Sequence, residues 1–124
     1  MDQLAEKISD SEHEVMKLLW EAGEPLPITE IREKLHASKG WEATTIKTLV
    51  SRLLGKGVIG QEKRSVFYYF PLISEREYNS WATGRLINRL YRGSVRNLVA
   101  ALVDSDGLSE SDIAELRALF KVED

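Results

Sequence analysis

A chain of 124 residues with 43% hydrophobic residues and a net charge of −3 suits one compact domain, or a small domain with an appended oligomerisation element. The absence of cysteine excludes disulfides, zinc–thiolate sites and cysteine nucleophiles. No apolar run approaches the roughly 18 to 20 residues of a membrane span, and the acidic N-terminus lacks the layout of a secretory signal. We therefore expect a cytoplasmic protein without membrane insertion.

The first part of the chain predicts two helices separated by a turn. After a loose leader over residues 1–8, Ser9 and Glu12 form a capping box that opens a helix ending at Gly23. The sequence GEPLP, with its two prolines, predicts a turn. A second short helix, ITEIREKLHA, is predicted over residues 28–37.

The stretch WEATTIKTLVSRLLGKG, residues 41–57, predicts a third helix with two contrasting faces. Helical spacing places these apolar residues on one face: Ile46, Leu49, Val50, Leu53 and Leu54. The opposite face carries hydroxyls and cations: Thr44, Lys47, Thr48, Ser51 and Arg52. A solvated helix face usually mixes both charge signs, whereas a face without carboxylates suits DNA phosphates and the major groove. The pattern favours a recognition helix, with an ordinary amphipathic helix as the alternative.

Two short β-type runs follow, VIGQE and SVFYYFP, separated by Lys63 and Arg64. They predict a hairpin with a basic tip, for which a generic charged turn is the alternative. Three helices followed by a hairpin indicate a winged helix-turn-helix, which we assign to residues 1–73.

Nine residues are candidates for DNA binding. In this docking mode the N-terminal turns of the recognition helix enter the major groove, and residues further along contact phosphates. The groove-facing candidates are Thr44, Thr45, Lys47 and Thr48, and the remaining candidates are Ser51, Arg52, Lys56, Lys63 and Arg64. For Arg52 a surface or intramolecular ion pair is an equal alternative. The distribution of charge along the chain also favours DNA binding by the predicted recognition helix and hairpin. Residues 41–70 hold five cations and two carboxylates, whereas residues 97–124 hold two cations and seven carboxylates.

Residues 74–124 predict three further helices, the first opened by a capping box of Ser74 and Glu77 and the last by Ser109 and Asp112. Three short helices cannot bury their apolar stripes alone, so we predict a homodimer interface here. The candidate interface residues are Tyr78, Trp81, Leu86, Leu90, Leu98, Leu102, Ile113, Leu116 and Phe120. Four arginines of this region are predicted to pair with the acidic last helix across the dimer, with solvation or a second DNA contact as the alternatives: Arg85, Arg89, Arg92 and Arg96.

No catalytic or metal-binding constellation can be assembled from the sequence. His13 and His36 lie on different predicted helices without a carboxylate at metal-ligand spacing, and no phosphate-binding glycine loop is present. We expect no enzyme activity, no metal and no cofactor. The alternatives to a DNA-binding regulator are a winged-helix protein–protein adaptor and a ligand-sensing regulator with a pocket lined by Tyr78, Trp81 and Tyr91.

Five segments of the chain together resemble the BlaI/MecI family of bacterial repressors of antibiotic-resistance genes. In chain order they are HEVMKLLW, TTIKTLVSRLLGKGVI, YYFPLIS, NRLYRGSVRNLVAALV and LSESDIAELRALF. The resemblance implies a mainly α winged helix-turn-helix protein with a small β-hairpin and a helical dimerisation region. It further implies a homodimer on a palindromic operator of double-stranded DNA, with half-sites similar to TACA/TGTA.

The resemblance also implies an induction route in which a membrane-bound sensor leads to proteolysis of the dimerisation region. The scissile bond would fall between Ala101 and Leu102, where family members that are cut carry an Asn–Phe pair. Related copper-responsive repressors use a cysteine cluster, which this chain lacks. His13 stands where the family often has an aromatic or apolar residue, and we expect it to loosen the packing of the first helix.

Overall fold

The structure, a computed structural model, describes residues 8–105 and 107–120, together with all side chains in these ranges except those of Leu116, Arg117, Leu119 and Phe120. Six helices and three strands lie in these ranges. In chain order they are α1 (Asp10–Ala22), β1 (Leu26–Pro27), α2 (Ile28–Lys39), α3 (Ala43–Lys56), β2 (Ile59–Lys63), β3 (Phe67–Pro71), α4 (Glu75–Tyr91), α5 (Val95–Asp104) and α6 (Glu110–Phe120). None of the helices so described has the length and apolar character that a bilayer crossing requires.

The predicted ends of the first and third helices are confirmed, whereas the second helix continues past the predicted residue 37 to Lys39, because the left-handed residue that ends it is Gly40. The Ser9 hydroxyl accepts a hydrogen bond from the backbone N–H of Glu12, and the Glu12 carboxylate accepts one from the backbone N–H of Ser9, which is the predicted capping box of α1. Left-handed glycines follow α1, α2 and α3, and Gly57 (φ 77°) donates its N–H to the last turn of α3. The predicted leader is wrong at Ile8, which is 9% exposed and belongs to the core, and residues 1–7 lie outside the described ranges.

The GEPLP segment contains a short strand that the sequence analysis assigned to a turn. Leu26 pairs with Tyr69 and Pro27 with Tyr68, so β1 adds to the predicted hairpin and forms an antiparallel sheet of order β1–β3–β2. β2 and β3 pair from Ile59 opposite Pro71 to the tip. A segment as short as β1 shows no alternating pattern in the sequence, and it is a strand only because it pairs with the edge of β3.

A single core joins these elements. α3 packs against α1, α2 and β2, which places its apolar face at the centre of the core. The buried residues include Val15, Met16, Leu19, Ile31, Leu35, Ile46, Leu53, Val58 and Ile73, all at 2% exposure or less. Trp20 at the end of α1 donates its indole N–H to the carbonyl of Ile73 at 2.8 Å, so the chain leaving the sheet is fixed beside α1.

His13 does not loosen the first helix but belongs to an aromatic cluster. Its ring stacks on Tyr78 with centroids 4.7 Å apart and meets Trp20 edge-on at 5.7 Å. The ring centroids of Tyr78 and Trp81 are in turn 5.9 Å apart. The expectation of looser packing is therefore wrong, because the imidazole provides an aromatic surface of the size that this contact needs.

The histidine of this cluster predicts a pH dependence of stability. Burial, followed by the charge of Lys17, lowers the pKa of His13 from its ordinary value, although Glu14, Asp10 and Glu75 oppose the shift. The unfolded chain then binds the proton more readily than the folded chain, so stability falls as the pH drops from about 7 through the ordinary histidine range near 6.5. His13→Phe keeps the stack without the titration. In chemical denaturation between pH 7 and 5, the wild type should lose more stability than this variant, and parallel curves would contradict the prediction.

The chain divides into two compact units, of which the first ends at Ala82 and the second begins at Thr83. The boundary predicted from the sequence lies at residue 73, before α4. The difference has a physical cause, since Tyr78 and Trp81 on the first turns of α4 pack against the core of the first unit. The predicted caps of α4 and α6 are confirmed by hydrogen bonds between Ser74 and Glu77 and between Ser109 and Asp112.

The second unit leaves apolar surface uncovered. No side chain of α4 or α5 is buried, although α5 is strongly amphipathic. Five large apolar residues of these helices are exposed, namely Leu86 (37%), Leu90 (57%), Val95 (47%), Leu102 (38%) and Val103 (44%). Several exposed large apolar side chains in one small helical unit favour a protein interface there.

Candidate nucleic-acid interface

The outward face of α3 carries the hydroxyls and cations that the sequence analysis assigned to it. All six candidates between residues 44 and 52 are exposed: Thr44, Thr45, Lys47, Thr48, Ser51 and Arg52. The opposite face is in the core, with Ile46, Leu49, Val50 and Leu53 at 5% exposure or less. No carboxylate lies between Ala43 and Lys56. α3 therefore presents one continuous, carboxylate-free polar face to solvent.

The start of this face has a defined geometry. Glu42 is the N-cap residue of α3 but makes no side-chain capping bond, and the first turn contains no acidic residue. The turn before α3 is held by the ring of His36, whose Nδ1 lies 3.1 Å from the carbonyl oxygen of Trp41 and donates to it. This bond ties the end of α2 to the entry of α3, a role that the sequence analysis did not assign to His36.

Thr48 uses its hydroxyl proton within the helix. Its Oγ1 donates to the carbonyl oxygen of Thr44 at 3.0 Å. A threonine bonded in this way offers its methyl group and its oxygen lone pairs outward, but no hydroxyl proton. Thr48 is therefore suited to contact a thymine methyl or to accept from a cytosine amino group.

Lys56 differs from the other candidates. Its Nζ lies 2.5 Å from Oε1 of Glu12, and the two side chains are 28% and 2% exposed. The ion pair directs the ammonium group toward α1. The structure thus does not bring Lys56 to the exposed hydroxyl and cation face of α3.

The basic hairpin tip consists of charges with local partners. Arg64 Nε donates to Glu62 Oε2 at 2.7 Å, and its guanidinium lies 4.3 Å from the centroid of the Tyr68 ring. The hydrogen bond and charge of Arg64 lower the pKa of the Glu62 carboxyl. The Nζ of Lys63 lies 5.9 Å from the centroid of the Phe67 ring, and Phe67 is 40% exposed. The tip therefore combines two cations with an exposed aromatic ring, which the sequence analysis did not single out.

The candidate dimerisation residues fall into two groups. Tyr78 and Trp81 belong to the first unit, where they pack on its core. The second unit contains Leu86, Leu90, Leu98, Leu102 and Ile113, which are exposed or half-buried. The side chains of Leu116 and Phe120 lie outside the described part of the structure. Within that described part, no three histidine, aspartate or glutamate side chains are grouped to hold a metal ion.

Comparison with known proteins identifies counterparts over nearly the whole chain. The family model "Penicillinase repressor" matches residues 8–121. The methicillin resistance regulatory protein MecI of Staphylococcus aureus (strain N315) is 34% identical over 121 residues, covering 97% of this chain and 98% of MecI. The penicillinase repressor of Bacillus licheniformis is 34% identical over 116 residues, covering 93% of this chain and 90% of that repressor. The sequence resemblance is thereby confirmed.

Two solved structures match the winged part. The solution structure of the DNA-binding domain of the repressor BlaI has a TM-score of 0.54 at 37% identity, covering 58% of this chain and 88% of that chain. Bacillus licheniformis BlaI, solved as a monomer in complex with the blaP half-operator, has a TM-score of 0.52 at 37% identity with the same coverage. The predicted winged helix-turn-helix fold is confirmed. On these matches and this fold, the chain belongs to the penicillinase repressor family.

Proposed function

We propose that this protein is a transcriptional repressor that binds a palindromic DNA operator as a homodimer and blocks RNA polymerase. The observation that carries the proposal is the exposed, carboxylate-free face of α3, which lies on a helix whose other face is in the core. A continuous row of hydroxyls and cations on a rigid helix matches the acceptor-rich major groove and the flanking phosphates.

Each residue of the face has a proposed role. Thr44, Thr45, Lys47 and Thr48 lie in the first turns of α3 and would enter the groove. Lys47 pairs with a guanine edge, while Thr48 offers its methyl to thymine. Ser51 and Arg52 lie further along the helix and contact phosphates. BlaI, similar in this part of the chain, was solved on a half-operator, which supports DNA docking by the winged unit.

The hairpin would contact the DNA backbone beside the groove. Lys63 and Arg64 are both exposed at or next to the tip. Arg64 shares its charge with Glu62, so Lys63 is the stronger candidate for a phosphate contact.

Homodimerisation is supported by the uncovered apolar surface of the second unit. Leu86, Leu90 and Leu102 expose more than a third of their surface in a single chain. A second copy would remove this surface from water at roughly 25 cal/mol per Å². Linking two winged units then raises operator affinity through effective concentration. We extend the proposal to the arginines of α4 and α5, which would pair with carboxylates of the partner's last helix.

Release from DNA would follow from loss of the dimer. Ala101 and Leu102 lie within α5, where Ala101 is half-buried and Leu102 is 38% exposed. A protease acting at this bond would first have to unwind α5, since cleavage needs locally opened backbone. A membrane-bound sensor or a protease is the proposed partner for induction, and the bacterial cytoplasm, where the operator DNA lies, is the proposed location.

Two alternatives find less support. A ligand pocket lined by Tyr78 and Trp81 is disfavoured because these rings already pack on the core of the first unit. A protein–protein adaptor would not require a carboxylate-free face on α3. The adaptor alternative predicts that Lys47→Ala and Lys63→Ala leave the function of the protein unchanged.

Fluorescence anisotropy tests the proposal directly. The protein is titrated onto a labelled palindromic TACA/TGTA duplex and onto a scrambled duplex, at several salt concentrations. We expect two chains per palindrome, preference for the palindrome and a steep salt dependence from several phosphate contacts. Equal and weak binding to both duplexes, followed by failure to enrich any sequence from random DNA, would contradict DNA-specific repression.

A further inference from the structure

Glu12 is the one charged or polar residue that is buried in the described part of the chain, at 1% exposure. Its Oε1 accepts two hydrogen bonds, from the backbone N–H of Ser9 at 2.9 Å and from Lys56 Nζ at 2.5 Å. One carboxylate oxygen therefore joins the N-terminal cap of α1 to the last turn of α3. Glu12 and Lys56 are 44 residues apart in the chain.

The carboxylate remains charged in this position. Burial raises the pKa of Glu12, but the hydrogen bond from Lys56, the backbone N–H of Ser9 and the charge of Lys56 together outweigh burial, so the pKa is lowered from its ordinary value. Removing one partner of such a pair leaves a buried charge without compensation, whereas removing both charges does not. The pair thus constrains where the end of α3 lies relative to α1.

Lys56 is the exception among the cations of α3. Lys47 and Arg52 are exposed, whereas the Lys56 side chain is 28% exposed and turned toward α1. For its ammonium group to reach a DNA phosphate, Glu12 would have to lose its ionic partner inside the core. That exchange is unfavourable because the phosphate contact lies in high dielectric and the buried contact does not.

We propose that Lys56 is a positioning residue, whose ion pair with buried Glu12 fixes the C-terminal end of α3 against α1 and so sets the angle at which the recognition face meets DNA. The inference rests on the proposed DNA-binding function. Groove contacts are sensitive to small displacements, and a face held from one end by a buried ion pair is preorganised for them. The capping box of α1 contributes to this positioning, since it orients the Glu12 carboxylate that pairs with Lys56.

Operator binding with salt titration separates a positioning role from a phosphate contact. The variants are Lys56→Met, which keeps most of the length of the side chain, Lys56→Arg, and the double variant Glu12→Gln/Lys56→Met, which removes both charges together. Arg52→Gln, on the exposed face of the same helix, serves as the matched phosphate-contact control. Near-UV circular dichroism and thermal melts identify a temperature at which each variant is folded.

We expect Lys56→Met to weaken operator binding about tenfold, equivalent to about 1.4 kcal/mol. The slope of log K against log salt should stay at the wild-type value, because no phosphate contact is lost. Lys56→Arg, which keeps the ion pair, should bind within about threefold of the wild type. The double variant lacks the pair but leaves no buried charge unpaired, so it should be more stable than Lys56→Met yet bind the operator about tenfold more weakly than the wild type, with an unchanged slope. Arg52→Gln should instead reduce the magnitude of the slope by about 0.9.

Three results would overturn this inference and leave the proposed DNA-binding function standing. These are a slope reduced by about 0.9 in Lys56→Met, wild-type affinity in the double variant, or unchanged affinity in Lys56→Met. If Lys56→Met does not fold, the double variant decides, because a phosphate contact predicts a reduced slope there and a positioning role predicts an unchanged one. Lack of palindrome preference in the wild type would instead overturn the proposed function, and this inference with it.

Discussion

Leu90→Asp is expected to make the protein monomeric and to weaken binding to a palindromic operator by roughly 10²- to 10⁴-fold, the gain that tethering two modules typically supplies. Leu90 is 57% exposed in the single chain, so a carboxylate there costs the monomer little. In a dimer interface the same carboxylate would be buried without a partner, which is strongly unfavourable. Sedimentation velocity gives the oligomeric state and anisotropy gives the affinity.

The matched control for this variant is Asn88→Asp on the same helix. Asn88 is exposed and lies two positions from Leu90, on the other side of α4, so the control adds the same charge away from the predicted interface. The control should remain dimeric with wild-type affinity. Leu86→Asp and Leu98→Asp are predicted to behave as Leu90→Asp, although Leu98 is half-buried in the single chain. A Leu90→Asp protein that stays dimeric, or keeps full operator affinity as a monomer, would rule out the proposed dimerisation surface.

A half-operator duplex provides a second comparison for the monomeric variant. The proposal assigns DNA contacts to the first unit and dimerisation to the second. Leu90→Asp should therefore bind a single half-site as the wild-type first unit does, with the same salt slope per chain. Loss of half-site binding together with palindrome binding would indicate that the substitution damages the winged unit.

Interactions between near neighbours in the chain were predictable from sequence. Each capping box joins residues three apart, so Ser9 with Glu12 and Ser74 with Glu77 are visible as a local pattern. The two faces of α3 follow equally from helical periodicity, because burial of Ile46 and exposure of Lys47 depend only on which side faces the core.

Features that depend on distant parts of the chain were missed. β1 exists because Leu26 lies opposite Tyr69, and its own two residues give no strand signal. Glu12 was recognised as a capping residue, but its second partner, Lys56, comes from another helix. A stripe of aromatic residues on α4 likewise does not reveal that Tyr78 packs on His13 of the first unit. Periodicity predicts that a side chain is covered, but not which surface covers it.

The same limit applies to the candidate DNA contacts. Spacing along the chain assigned Lys47 to the groove and counted Lys56 and Arg64 alike as further cations available to DNA. The structure separates them, since Lys56 pairs with a buried carboxylate and Arg64 with Glu62. Among these three, Lys47 is the exposed cation nearest the start of α3, which is where groove contacts are expected. Lys47 is therefore the cation that we expect to contact a base.

Lys47→Ala is expected to weaken operator binding by about 1–3 kcal/mol and to reduce the preference for the palindrome over a scrambled duplex by a similar factor, because a base-directed contact is lost. Lys63→Ala at the end of β2 is the matched comparison. A phosphate contact there should weaken binding to both duplexes about equally and reduce the magnitude of the salt slope by about 0.9. Anisotropy on both duplexes at several salt concentrations measures the two quantities together.

The contrast between these two lysines tests the division of labour within the winged unit. If Lys47 reads a base and Lys63 a phosphate, affinity falls in both variants, but sequence preference falls only in Lys47→Ala. Equal loss on both duplexes for Lys47→Ala would assign Lys47 to the backbone and leave base readout to the threonines of α3. In that case Thr48, whose methyl is free to face the groove while its hydroxyl bonds Thr44, becomes the residue whose replacement by serine should lower the preference for thymine over uracil.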